Sequence, residues 1–314
     1  MLEHSERSAE VVAGVVCRFT QFAARTGLVY IGTREPSNPV SVPENPFAVP
    51  PSLPASPLPA PPPLPTTAPP PEENPSWGFW EVVGLAVITL IAMFGCVVGV
   101  AYFVHRRFAP ASPFFESLKR PETIVGGQLL AYFLVLLVMY AMVSAQTDGS
   151  FLEGVRWNWP RNWGTYLLGG VALALCLAPF EYLLPMPKHA PIEDFFRTAR
   201  DAYVLSLFGI FIAPPFEELF FRGFLYPVLA RHLRMIPAIV ITALLFASIH
   251  ASQLKYSWGP VLMIFLVGLT LTTVRALKKS VAATVLMHMA YNGTLFIAAY
   301  IATGGFRHME KFNQ

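Results

Sequence analysis

Phe216-Glu217-Glu218-Leu219-Phe220-Phe221-Arg222 sets two adjacent carboxylates and a guanidinium inside a long apolar run. The thirteen residues before it, 203–215, hold no charge and end in Pro214-Pro215. A charge at the centre of a bilayer costs about 2.5–3.5 kcal/mol even on the most lenient scale. Three ionisable groups in six residues at that depth need a partner, a water-filled cavity or a chemical task.

Its composition is that of a polytopic membrane protein. Of 314 residues, 54% are hydrophobic and only 13% charged, where soluble domains run near 25% charged. The mean hydropathy is +0.50. The net charge of +3 conceals an asymmetry: residues 1–76 hold four Lys/Arg against seven Asp/Glu, so the remainder is clearly basic. With no basic-aromatic cluster, that excess suits loops at anionic headgroups and argues against nucleic acid as a partner. The three cysteines, Cys17, Cys96 and Cys176, are an odd number, and two lie in apolar runs. They read as buried small residues, not as disulfides or a metal knuckle.

Residues 11–31 suggest at most a weak amphipathic helix, with start-site over-extension as the other reading, and no signal peptide is evident. Residues 36–76 contain 17 prolines. Proline fixes φ and lacks the amide donor, so residues 1–76 are expected to be a disordered, proline-rich tail with an extended tether. Apolar runs long enough to cross a bilayer follow at residues 79–104, 124–145, 164–184, 202–229, 260–276 and 281–302, with a shorter one at 237–250. The expected fold is all-α: a polytopic membrane helical bundle of about seven or eight transmembrane helices. Residues 77–145 form its N-terminal helices and 160–305 its functional domain. Trp77 and Trp80 are expected at one membrane interface, and Gly95 and Gly99 at a close-packing face. An amphipathic interfacial helix is expected over residues 192–200. Pro214-Pro215 should kink or break its helix. The basic loop holding Arg106, Arg107, Lys119 and Arg120 is expected to be cytoplasmic, and a re-entrant turn near Pro214-Pro215 would reconcile the later basic loops with it.

Two further polar sets lie in separate apolar segments: Phe246 with His250, and His288 with Asn292. Four-residue spacing puts each pair, like Glu218 and Arg222, on one helix face. Glu218 is therefore the expected partner of Arg222. Adjacent residues point about 100° apart, which leaves Glu217 as the free carboxylate. Apolar surroundings disfavour the ionised form of a carboxylate, and such a group suits general base catalysis near neutral pH. His250 would share the proton or orient a water. His288 and Asn292 would donate to an oxyanion. Taken singly, the ion pair reads equally well as structural, the histidines and Asn292 as interhelical hydrogen bonders, and Phe246 as packing.

The ordered trio Glu-Glu-x-x-x-Arg, Phe-x-x-x-His and His-x-x-x-Asn resembles the CAAX-protease and bacteriocin-processing family of intramembrane proteases, in its prenyl-protein endoprotease branch. The run from Glu217 to Leu225 resembles that family's first motif nearly residue for residue. The resemblance implies an endopeptidase with Glu217, His250, His288 and Asn292 catalytic and with Glu218, Arg222 and Phe246 in support. It implies a membrane-associated or prenylated peptide or protein as substrate, the lipid bilayer as partner, and a multi-pass location, expected to be the plasma or inner membrane of a prokaryote. No cofactor is expected. Zinc on Glu217, His250 and His288 is the alternative, since these match a two-His, one-carboxylate site. Two other functions stay open: a non-catalytic immunity or binding protein of the same fold, and a transporter using the glutamates as a proton relay.

Overall fold

The computed structural model describes residues 73–146, 149–187 and 195–308. The proline-rich tail up to residue 72 and the expected helix at 11–31 lie outside the described residues. So do residues 192–194 of the expected interfacial helix at 192–200; of its described residues, 196–198 are not α-helical, while Ala199 and Arg200 open the next helix behind a Thr198 cap. All described residues fall in one unit, Thr66–Gln314.

Among the described residues the structure is helical, without strands. Six helices are long and apolar enough to cross a membrane: α1 (Phe79–Phe108), α2 (Pro121–Gln146), α3 (Trp163–Leu183), α4 (Ala199–Leu233), α6 (Trp258–Lys278) and α7 (Val281–Ala302). The shorter α5 (Met235–His250) makes seven apolar helices, in keeping with the count read from hydropathy. Its 16 residues rise about 24 Å, short of the roughly 30 Å hydrocarbon core. The chain is an integral, multi-pass membrane protein.

Three pairs carry most of the packing: α1 with α2, α3 with α7, and α5 with α6. Glycine allows each close approach. A Cβ at Gly127 of α2 would meet Val97 Cα of α1 at 2.5 Å. One at Gly170 of α3 would strike the Met287 carbonyl of α7, and one at Gly268 of α6 would meet Ala243 Cα of α5 at 3.2 Å. Gly95 and Gly99 do not serve this way, because no described atom comes within 4 Å of a Cβ at either. The exposed large apolar residues, among them Leu90, Phe94, Phe133 and Leu175, lie on spanning helices whose outer faces meet lipid. Cys176 also lies on an outer face, so it is exposed and not buried, and Cys96 is half-buried.

Helix α4 runs unbroken through Pro214-Pro215, and no re-entrant turn forms there. The prolines are absorbed by a change of register. Residues Phe208–Ile212 wind as a π-helix, with the Ala213 amide donating to the Phe208 carbonyl five residues back. That register would hand the Gly209 carbonyl to residue 214, which as proline has no N–H. A second π turn, Leu219–Leu225, follows the Glu217-Glu218 pair and contains Arg222. Such bulges are frequent at functional sites.

Trp77 is not an interfacial anchor. It is 1% exposed, stacks on Phe224 of α4 at 4.6 Å and donates its indole N–H to the Phe224 carbonyl. A buried indole needs such an acceptor, and the π turn of α4 provides one. Trp80, one turn on, is exposed.

Candidate active site

The polar residues singled out from sequence come from α4, α5 and α7, and α6 completes their support. Glu218 and Arg222 are both fully buried and paired at 2.9 Å, as their spacing predicts. The guanidinium uses its whole fork: Nη1 on Glu218, Nη2 on the Gly268 carbonyl at 3.0 Å, and Nε on Thr272 Oγ1 at 3.2 Å. Gly268 and Thr272 lie one turn apart on one face of α6. A planar donor set spread over three acceptors fixes α4 against α6 in rotation as well as distance. Phe246 of α5 closes the other side, with Arg222 over its ring at 4.5 Å.

His288 of α7 is 4% exposed and sits between the two carboxylates. Its Nδ1 lies 2.8 Å from Glu218 Oε1, the oxygen already facing Arg222. A carboxylate held by a guanidinium accepts, so Nδ1 carries the proton. Nε2 then faces Glu217 Oε2 at 3.9 Å, and it donates only when the ring is protonated. Among the described residues Glu217 has no ion pair shorter than the 3.9 Å to His288, and it keeps 19% of its side chain exposed. The free carboxylate is thus the first of the pair, as the spacing implied.

His250 ends α5. Its Nδ1 lies 2.8 Å from the Phe246 carbonyl, an obligate acceptor, so Nδ1 again carries the proton and Nε2 offers a lone pair. The Phe246 ring touches His250 (4.9 Å between ring centres), His288 (5.9 Å) and Phe221 (5.2 Å). Phe246 is therefore the apolar partition of the site, in contact with both imidazoles. Asn292, one turn beyond His288, donates Nδ2–H to the Gly209 carbonyl at 2.7 Å. That carbonyl is the one the π register and Pro214 leave without an amide. The proline in α4 and the asparagine in α7 are two halves of one contact.

Both histidines have the tautomer of a metal ligand, with Nδ1–H given to a second acceptor and Nε2 free. The ligand set does not close, however. Among the described residues no three His, Cys, Asp or Glu side chains converge as an ion site, and Glu217, His250 and His288 are not such a set.

Several contributors were not singled out from sequence. Thr272 and the Gly268 carbonyl complete the Arg222 fork, but a Thr and a Gly in an apolar helix carry no signal of their own. Gly209 could have been found by asking which carbonyl Pro214 strands. Tyr132 of α2 stacks at 3.9 Å on Phe216, the residue before Glu217. Its only sequence signal is a phenol within an apolar run.

Residues 199–294, from the start of α4 into α7, match the family described as Type II CAAX prenyl endopeptidase Rce1-like. The match contains every polar residue of the constellation. No curated protein and no solved structure matches the chain. Over residues 199–294 this membrane protein is thus similar to the Rce1-like type II CAAX prenyl endopeptidases.

Proposed function

We propose that the chain is an intramembrane endopeptidase that hydrolyses a peptide bond in a membrane-associated or prenylated substrate by glutamate- and histidine-activated water. The observation that carries this reading is the division of labour between the adjacent glutamates. Glu218 is consumed by Arg222 and His288, and Glu217 is left half-buried with His288 Nε2 as its near neighbour. A carboxylate kept out of an available ion pair at that depth is explained by chemistry better than by structure.

In the proposed reaction Glu217 takes a proton from water, with the His250 Nε2 lone pair orienting it. The hydroxide adds to the scissile carbonyl. The second Asn292 amide hydrogen and the protonated His288 ring hold the oxyanion. The proton on Glu217 passes to the departing amine as the C–N bond breaks, leaving a new carboxylate and a free amine. No step is routed through a metal ion. The proposed location is the plasma membrane of a prokaryote.

The test uses a quenched peptide ending in a farnesylated cysteine and three further residues, presented in lipid nanodiscs. Cleavage by the native chain and a loss of about 10²-fold or more in Glu217→Gln are expected. A Glu217→Gln chain that cleaves at the native rate would sink the assignment. Stoichiometric zinc together with chelator-sensitive cleavage would replace the glutamate mechanism by the metal one. One observation favours the non-catalytic reading: Asn292 is already bonded between helices. A protective phenotype that survives Glu217→Ala would support it.

A further inference from the structure

Residues 73–77 precede the first span and lie outside the matched residues 199–294, yet they pack against the helices that hold the site. Glu73 is 3% exposed and is held from two sides. Its Oε1 lies 3.0 Å from Arg275 Nη1 of α6, and its Oε2 lies 3.2 Å from Arg156 Nε. Two residues on, the Pro75 carbonyl accepts from Arg231 Nη1 of α4 at 2.9 Å. Trp77 then stacks on Phe224, inside the π turn that contains Arg222. Arg156 carries the contact on to α7: its carbonyl accepts the Val281 amide at 2.9 Å, two turns before His288. Its φ of +57° is a left-handed conformation that disfavours a side chain, so the surrounding contacts must hold it there.

These contacts join the polar network of the site at α6. Arg275 lies one turn beyond Thr272, and Thr272 Oγ1 and the Gly268 carbonyl take two arms of the Arg222 fork. Arg222 holds Glu218, and the same Glu218 oxygen accepts from His288 Nδ1. Apart from one turn of α6 backbone, each link from Glu73 to His288 is a hydrogen bond of 2.8–3.2 Å. Apolar packing holds a helix against its neighbours without fixing its rotation, whereas a carboxylate shared by two guanidiniums is directional. We propose that Glu73 is a positioning residue for the site. By fixing the rotation of α6 it sets the register at which Thr272 and the Gly268 carbonyl meet Arg222, and through Arg222 and Glu218 it orients His288. This rests on the reading of the constellation as catalytic, and it gives residues 73–77 a part in turnover beyond their part in packing.

The test compares Glu73→Gln, Glu73→Leu and the double variant Glu73→Leu with Arg275→Leu in the full chain, using the farnesylated peptide in nanodiscs. Glu73→Gln keeps the shape of the side chain and removes its charge. It is expected to lower kcat about tenfold or more with KM within about twofold, as a small misplacement of reacting groups does. Glu73→Leu is expected to lower kcat and Tm together. The double variant is expected to regain Tm, because no guanidinium of α6 is orphaned, and to keep the low kcat, because an apolar pair does not fix rotation. Amide exchange over residues 268–275 should stay faster than native in the double variant, a readout that needs no substrate. A native kcat in Glu73→Gln, a loss confined to KM, native exchange over 268–275, or a double variant whose kcat returns with its Tm would each overturn the proposal. Glu73→Gln decides on kcat whether or not the double variant regains Tm. If Glu217→Gln is inactive while Glu73→Gln is native, only the positioning role fails. If Glu217→Gln is itself active, the reading of the site fails first.

Discussion

Two neighbouring glutamates have the same chemistry and different fates, and sequence spacing accounts for only half of the difference. The four-residue interval assigns Arg222 to Glu218 within one helix. It says nothing of His288, seventy positions on, which meets the same oxygen of Glu218 from α7. The consequence is a sharp contrast in stability. Removing Glu218 strands a fully buried guanidinium and takes the acceptor from a buried imidazole N–H. Glu218→Ala is expected to cost about 3–5 kcal/mol, the usual penalty for breaking a buried pair. Glu217→Gln loses only a 3.9 Å contact at a partly exposed group and should cost under about 1 kcal/mol. Thermal unfolding of both variants in the same detergent checks this. A Glu217→Gln chain as unstable as Glu218→Ala would mean that the first carboxylate also holds the fold.

At the scale of the helix, hydropathy located the spans, because about 20 apolar residues in succession admit little else. It could not locate the contacts between them, which depend on single glycines and on backbone register. Gly170 is the clearest case. It reads as one small residue among several in α3, yet a Cβ there would strike the backbone of α7 at Met287, beside His288. Gly170→Val is expected to destabilise by about 1–3 kcal/mol and to abolish cleavage, since α7 must retreat and carries His288 and Asn292 with it. The Pro214-Pro215 signal was legible as a distortion, but its form was not. A kink was one answer; a π register with one carbonyl handed to Asn292 is the answer found. This couples two residues 78 positions apart. Asn292→Ala should cost about 1–2 kcal/mol in the native background, where it strands the Gly209 carbonyl. It should cost less with Pro214→Ala, where an amide is restored within α4. A double-mutant cycle on unfolding in detergent measures the difference, and strict additivity would show that the two residues do not share that carbonyl.

At the scale of the whole molecule, the segment just before the first span belongs to the bundle and does not simply lead into it. From sequence, Glu73 looks like the last charge of a proline-rich tail. In the structure it is 3% exposed, with Arg275 of α6 at 3.0 Å and Arg156 at 3.2 Å. Pro75 accepts from Arg231 at the end of α4, and Trp77 fills the space beside Phe224. Composition hides this because a carboxylate at the edge of a proline-rich stretch is ordinarily solvated, and its partners lie far along the chain. The arrangement ties the N-terminal segment to the helix that supports the site. Arg275 occupies the turn of α6 after Thr272, and Thr272 and Gly268 hold Arg222 on that face. Glu73→Leu in the full chain leaves Arg275 buried without a counter-charge and is expected to cost about 3–5 kcal/mol. Adding Arg275→Leu should recover much of that loss, because an apolar pair replaces an orphaned charge, although Arg156 then also loses its partner. Unfolding of the two single variants and the double variant measures it. If Glu73→Leu is as stable as the native chain, the latch contributes nothing. If the double variant is less stable than both single variants, the pair matters for its geometry on α6 and not for the balance of charge.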